Sequence, residues 1–125
     1  MSEGREYFTQ VEELGNIQIS EEVIASIAAV AAVEVEGVAS LAANLGSDIA
    51  ELLGKKNLSK GVRLQMNEDA IVVDLSILVQ YGSSIQDVAK MVQDAVMSGV
   101  ADMTGLKVSY VNVHVAGIAF HKPEK

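Results

Sequence analysis

The sequence predicts an α+β fold: two layers in β-α-β-β-α-β order, with helices packed on one face of an antiparallel or mixed sheet. Three observations carry this reading. Residues 21–35 and 84–103 repeat apolar residues at helical spacing. Residues 62–66 and 70–81 alternate apolar and polar, as strands with one wet face do. Residues 108–120 are dense in β-branched side chains. A split β-α-β arrangement is the simplest topology for that order.

A chain of 125 residues fits one domain with a real core. Half of it is hydrophobic, yet there are only three Tyr, two Phe and no Trp, so the apolar mass is Val, Ile, Leu and Ala. The absence of Cys excludes a disulfide framework, a thiolate nucleophile and a Cys-ligated zinc or iron–sulfur site. It fits a cytosolic protein. Nine Lys and Arg against seventeen Asp and Glu give a net charge of −8, and −7 of it falls within residues 1–36. A nucleic-acid binder needs the opposite balance. The most apolar run, 23–33, is far short of the ~20 residues of a membrane span, and the first fifteen residues are too acidic and polar for a secretory signal.

Residues 1–16 read as an acidic, flexible arm, 17–120 as a single domain and 121–125 as a polar tail. Ile17-Gln18-Ile19 suits a short strand. Ser20 is placed to cap a helix from Glu21 to about Val35, with Glu21 and Glu22 at its positive end and Gly37 beyond its stop. Val23, Ile24, Ile27, Val30 and Ala31 form its expected apolar stripe. Residues 38–46 fit no one element. Asp48 to Gly54 suits a short helix, and 55–61 reads as an exposed basic loop. Val62 to Met66 and Ala70 to Tyr81, joined by the polar turn Asn67-Glu68-Asp69, predict a hairpin. Ile71, Val73, Leu75, Ile77 and Val79 form the apolar face of the longer strand.

A second helix is expected after Gly82-Ser83-Ser84, where Ser84 and Asp87 have capping-box spacing. Its stripe is Ile85, Val88, Ala89, Val92, Val96, Val100 and Met103, and Gly105 supplies the stop. The last strand, Val108 to Phe120, carries apolar groups in both alternating phases. Such a strand is either covered on both sides within one domain, or presents a face or edge to another subunit. A two-layer domain of this size has few elements with which to cover two faces. Met91 and Met97 lie off the helix stripe and suit either core filling or adaptable contacts.

The candidate chemistry is thin. His114, in phase with Tyr110 and Asn112, suits a base or ligand in principle, but no strand-mate carboxylate completes a set, and a strand residue on the less buried face is the simpler reading. His121 lies in the tail. Asp74 reads as a surface charge that can pair with His114 or a Lys. Glu34 and Glu36 point apart on a helix and share a face only if the helix has ended. Asp48 and Glu51 suit the polar face of a short helix, and Glu68-Asp69 a turn. No Ser has a nucleophile-elbow context, and no Gly-rich phosphate loop occurs. The start of the second helix offers N–H groups to an anion, but Ser84 and Asp87 compete for them. No catalytic residue, cofactor or metal is therefore expected. A cleft gathering Asp74, His114 and Tyr110 would argue for an enzyme or ligand-binding domain.

Lys55, Lys56, Lys60 and Arg63 place four of the nine basic residues within nine positions. They read either as a solvated loop or as a docking patch for an acidic partner or anionic surface. No aromatic residue is interleaved to stack bases.

An ordered set of short matches carries a family resemblance. Gln80-Tyr81-Gly82, Ser84-Ile85, Val88-Ala89, Val92-Gln93, Met103-Thr104-Gly105-Leu106, Val108, Val111-Asn112-Val113, Val115 and Gly117-Ile118 follow one another. Ile19-Ser20-Glu21-Glu22-Val23-Ile24 and Glu34-Val35-Glu36-Gly37-Val38 precede them. Over roughly residues 15–120 the chain resembles the alkaline shock protein, or envelope stress response, family of Gram-positive bacteria. Gly54-Lys55-Lys56-Asn57 and Lys60-Gly61-Val62 resemble its small cytosolic branch. That resemblance implies a non-enzymatic cytoplasmic regulator, encoded beside acetyl-CoA carboxylase subunits and restraining that enzyme, hence fatty-acid synthesis. The stress-induced branch implies instead a scaffold that self-assembles near the membrane through an anchor protein. Either implies a protein partner, with a homo-oligomer as a further expectation, and no catalytic residues to carry over.

Overall fold

The computed structural model describes residues 7–42, 61–67 and 70–120. Its elements are β1 (Tyr7–Glu12), β2 (Gly15–Ser20), α1 (Glu21–Val33), β3 (Val38–Leu41), β4 (Val62–Asn67), β5 (Ala70–Gln80), α2 (Ile85–Thr104) and β6 (Val108–Ala119). The α+β class follows the sequence reading, and so does the order from β2 onward except for β3, which falls in the stretch 38–46 that fitted no one element. Asp48 to Gly54, the loop at 55–60, Glu68-Asp69 and the tail after Phe120 lie outside the described residues.

Strand β5 organises the main sheet. β6 runs parallel to it from Ile71 to Gln80 and fills one edge. The other edge is shared by two antiparallel strands: β4 pairs with Ala70–Leu75, and β3 with Ile77–Val79. The parallel neighbours β5 and β6 are joined through α2, so this β-α-β unit is not split, contrary to the simplest topology. A parallel pair needs a long crossover, and the twenty-residue α2 supplies it.

Both helices lie on one face of the sheet, where the alternation of β5 points. Ile71, Val73, Leu75, Ile77 and Val79 are all buried, together with Val111 of β6. Above them α2 buries Val88, Val92, Val96, Val100 and Thr104, a strict four-residue spacing. Ile85 and Met103, expected in that stripe, are exposed. The stripe ends on Thr104 because its hydroxyl is satisfied locally: it donates to Val100 O (2.6 Å) and accepts from Leu106 N (3.0 Å). Gly105, with φ +78°, caps the helix by donating its N–H to Ala101 O.

Helix α1 starts as expected, with Ser20 Oγ accepting from Val23 N at 3.2 Å. Its buried face is turned from the predicted one. Ile24, Ala25, Ala28, Ala29 and Ala32 are buried, while Val23 and Val30 are exposed and Ile27 and Ala31 half-buried. Small side chains let the helix approach its neighbours closely. A Cβ at Gly99 of α2 would sit 3.5 Å from the Cβ of Ala31, so the two helices meet through their smallest residues.

Residues 7–16 do not form an arm without structure. β1 pairs antiparallel with β2 in full register, from Tyr7 opposite Ser20 to Glu12 opposite Gly15. Phe8 is buried in the main core, and Gln10 Nε2 donates to Thr104 O at 2.8 Å. The hairpin is thereby tied to the end of α2.

Candidate interaction surfaces

Because antiparallel and parallel partners in register point to the same face, the sheet side away from the helices can be read directly. Arg63 lies opposite Asp74, and Asp74 opposite Asn112, in one row across three strands. Asn112 Nδ2 donates to Asp74 Oδ1 at 2.8 Å, fixing the centre of that row. Gln65, Val72 and Tyr110 form the row beside it, and Ser76 lies opposite His114. These groups are half-buried on β5 and exposed on β4 and β6.

This side holds an open depression of about 800 Å³ lined by Arg63, Gln65, Asp74, Ser76, Asn112 and His114, among others. The volume suits a small ligand, but such sites are concave and close over most of what they bind. Here the floor is one sheet face. Asp74 and His114 share the depression, as the enzyme reading required. Tyr110 does not line it, and Asp74 is engaged by an amide rather than by the imidazole. Among the described residues no three His, Asp or Glu side chains gather where a metal ion would need them.

The other sequence candidates are dispersed. Glu34 and Glu36 are exposed beside the end of α1. Ser84 Oγ accepts from Asp87 N at 3.5 Å, so it caps α2 where an anion was considered. Lys55, Lys56 and Lys60 lie outside the described residues. Arg63 is exposed on β4. Met91 and Met97, left open between core and surface, are exposed.

Sequence reasoning missed one surface. Tyr81 and Phe120 stack with ring centroids 5.2 Å apart, yet they stay 70% and 74% exposed. They lie where β5 and β6 end, beside exposed Ile85 and Ile118. The signal was the aromatic residue directly following each of two paired strands. No described helix is long and apolar enough to cross a membrane.

No solved structure matches the chain. The uncharacterized protein YqhY of Bacillus subtilis is 39% identical over 107 residues, covering 86% of this chain and 79% of its own. The uncharacterized protein YloU of the same organism is 38% identical, covering 87% and 92%. The uncharacterized protein Spy1535 of Streptococcus pyogenes is also 38% identical, covering 91% and 87%. A family model with a cell envelope-related function matches residues 9–120, and the chain belongs to that family, the alkaline shock protein 23 family.

Proposed function

We propose that this chain is a non-enzymatic interaction protein that acts in the cytoplasm by binding other proteins. One observation carries the proposal: among the described residues the helices cover a single face of the sheet, and the opposite face is a shallow, open floor that carries Arg63, Gln65, Asp74, Ser76, Asn112 and His114. Such a floor suits a protein surface better than a small substrate. Docking is oriented by Lys55, Lys56, Lys60 and Arg63, whose charge contrasts with the acidic remainder of the chain. The partner implied by the family resemblance is acetyl-CoA carboxylase, with fatty-acid synthesis as the controlled pathway.

A second reading has its own support. The family's cell envelope-related description favours a stress-linked scaffold, assembled near the membrane through an anchor protein. A pull-down of the tagged chain from its native cytosol, with mass spectrometry of the eluate, separates the two. The expected result is carboxylase subunits that disappear when Lys55, Lys56, Lys60 and Arg63 are all changed to Glu, with the melting temperature unchanged. A membrane anchor in their place moves the function to the envelope scaffold. Capture unchanged by charge reversal removes the basic segment from the mechanism.

A further inference from the structure

The main-chain hydrogen bonds show which way each backbone group of β6 points. Ile71 N and Tyr81 N donate to Lys107 O and Ala119 O, so the odd-numbered residues of β5 face β6. Ser76 N and Gln80 N donate the other way, to Gly61 O and Gly37 O. In a parallel ladder a residue bonds to the two residues flanking its opposite number, as Ile71, opposite Val108, does to Lys107. Val73, Leu75 and Ile77 lie opposite Val111, Val113 and Val115. The N–H and C=O groups of those three valines therefore point out from the sheet edge. Past the bulge between Val115 and Gly117, the same rule turns Ile118 outward.

Gln93 of α2 confirms the direction independently: its Nε2 reaches Val111 O at 3.0 Å. No strand pairs with this edge among the described residues. An open edge is ordinarily blunted by charge or proline. Yet none of the chain's Lys, Arg, Asp, Glu or Pro falls within Val108–Ala119. Val113 and Val115 also stay half-buried, although Leu75 and Ile77 opposite them are 2% and 0% exposed.

We propose that this edge is a homodimer interface, in which β6 pairs antiparallel with β6 of a second copy about a two-fold axis at His114. The outward groups fit themselves in that register. Val113 falls opposite Val115 of the second copy, and Val115 opposite its Val113. The bulge takes up Ala116 and brings Val111 opposite Ile118. All four are β-branched residues suited to cross-strand contact. A second copy is favoured over a foreign chain because the strip is neutral on a protein of net charge −8, so it is where two like-charged copies can approach. A twelve-residue strand is about 40 Å long, so with side chains about 10 Å tall the pair buries on the order of 800 Å² in total, the size of a weak, transient interface. The dimer is independent of the basic segment: a monomer would leave the docking proposal standing, and a failed pull-down would leave the dimer.

The test is sedimentation equilibrium of the full chain over a concentration series, with hydrogen exchange at the Val113 and Val115 amides. Val115→Pro removes an outward N–H that no neighbour within the sheet uses, and His114→Glu sets two carboxylates face to face on the axis. The expected result is a dimer whose formation slows exchange at both amides. Each variant weakens it at least tenfold while the monomer melts as before; should Val115→Pro fail to fold, His114→Glu on its exposed site carries the test. A chain that is monomeric at hundreds of micromolar overturns the proposal. So does a dimer that His114→Glu leaves intact.

Discussion

Gly37 lies between α1 and β3 and packs against Ser83 and Val88 at the start of α2, and replacing it with Ala separates two physical effects. Its φ is +101°, a region that L side chains rarely adopt, and its carbonyl accepts from Gln80 N at 2.8 Å. A Cβ built there would lie 2.6 Å from Val88 Cγ2 and 3.3 Å from Ser83 Oγ. Val88 is 5% exposed at the first turn of α2, so it has little room to yield. The backbone strain costs about 1–2 kcal/mol, and the forced repacking about 1–3 kcal/mol more. Gly37→Ala is thus expected to lose about 2–5 kcal/mol. At roughly 4 °C per kcal/mol for a chain of this size, that lowers the melting temperature by about 8–20 °C. Gly82 is the control: its φ is +99°, and a Cβ there meets nothing within 4 Å. Gly82→Ala should show the strain alone, about 1–2 kcal/mol. Urea unfolding of both variants measures the difference. Equal losses within ~0.5 kcal/mol would refute the assignment of a rigid contact between Gly37 and Val88.

Two other perturbations probe features absent from the sequence reading. Phe8→Ala removes the aromatic anchor of the β1–β2 hairpin and should cost about 3 kcal/mol. Amide exchange should accelerate over residues 7–20 while the centre of β5 keeps its protection; uniform acceleration would show that the hairpin and main sheet open together. Gln93→Ala releases Val111 O on the outer edge of β6, which Gln93 now occupies. It should tighten the proposed dimer severalfold in sedimentation, and a weaker dimer would show that Gln93 supports the interface rather than competing for it.

The parts legible in the sequence are those in which one period dominates. The alternation in β5 named its buried face residue by residue, and the four-residue repeat of Val88, Val92, Val96 and Val100 fixed the seat of α2. Helix α1 was legible as a helix but not in its rotation. Hydrophobic weight favoured Val23 and Val30, whereas close packing buried Ala25, Ala28, Ala29 and Ala32. β1 was hidden by its acidic surroundings, although Tyr7-Phe8-Thr9-Gln10-Val11 is rich in strand-formers and Gly15, φ +141°, supplies the turn. β3 is only four residues long, too short for alternation to register. Of the candidate site, the sequence showed the phase of Asp74, Asn112 and His114. It did not show their meeting: Asn112 and Asp74 are 38 positions apart, and only the register of β5 with β6 puts them in contact.

Arg63 of the docking floor and the pairing strand β6 lie at opposite edges of the same sheet. Arg63 is on β4, at one edge of β5, and the pairing edge belongs to β6, at the other. A dimer closed through β6 therefore leaves Arg63 of both copies free. With six strand positions in the order β4-β5-β6-β6-β5-β4, five spacings of about 4.8 Å put the two Arg63 residues about 24 Å apart across the sheet. A two-fold axis perpendicular to the sheet also keeps both floors on the same side. The assembly then presents one continuous surface with a cationic group near each end, matched to a partner that repeats an acidic site at that spacing. A weak dimer and a weak dock reinforce each other in this arrangement, because the second contact forms at the effective concentration set by the first. That coupling gives a small protein with a shallow binding floor a physical route to a specific partner.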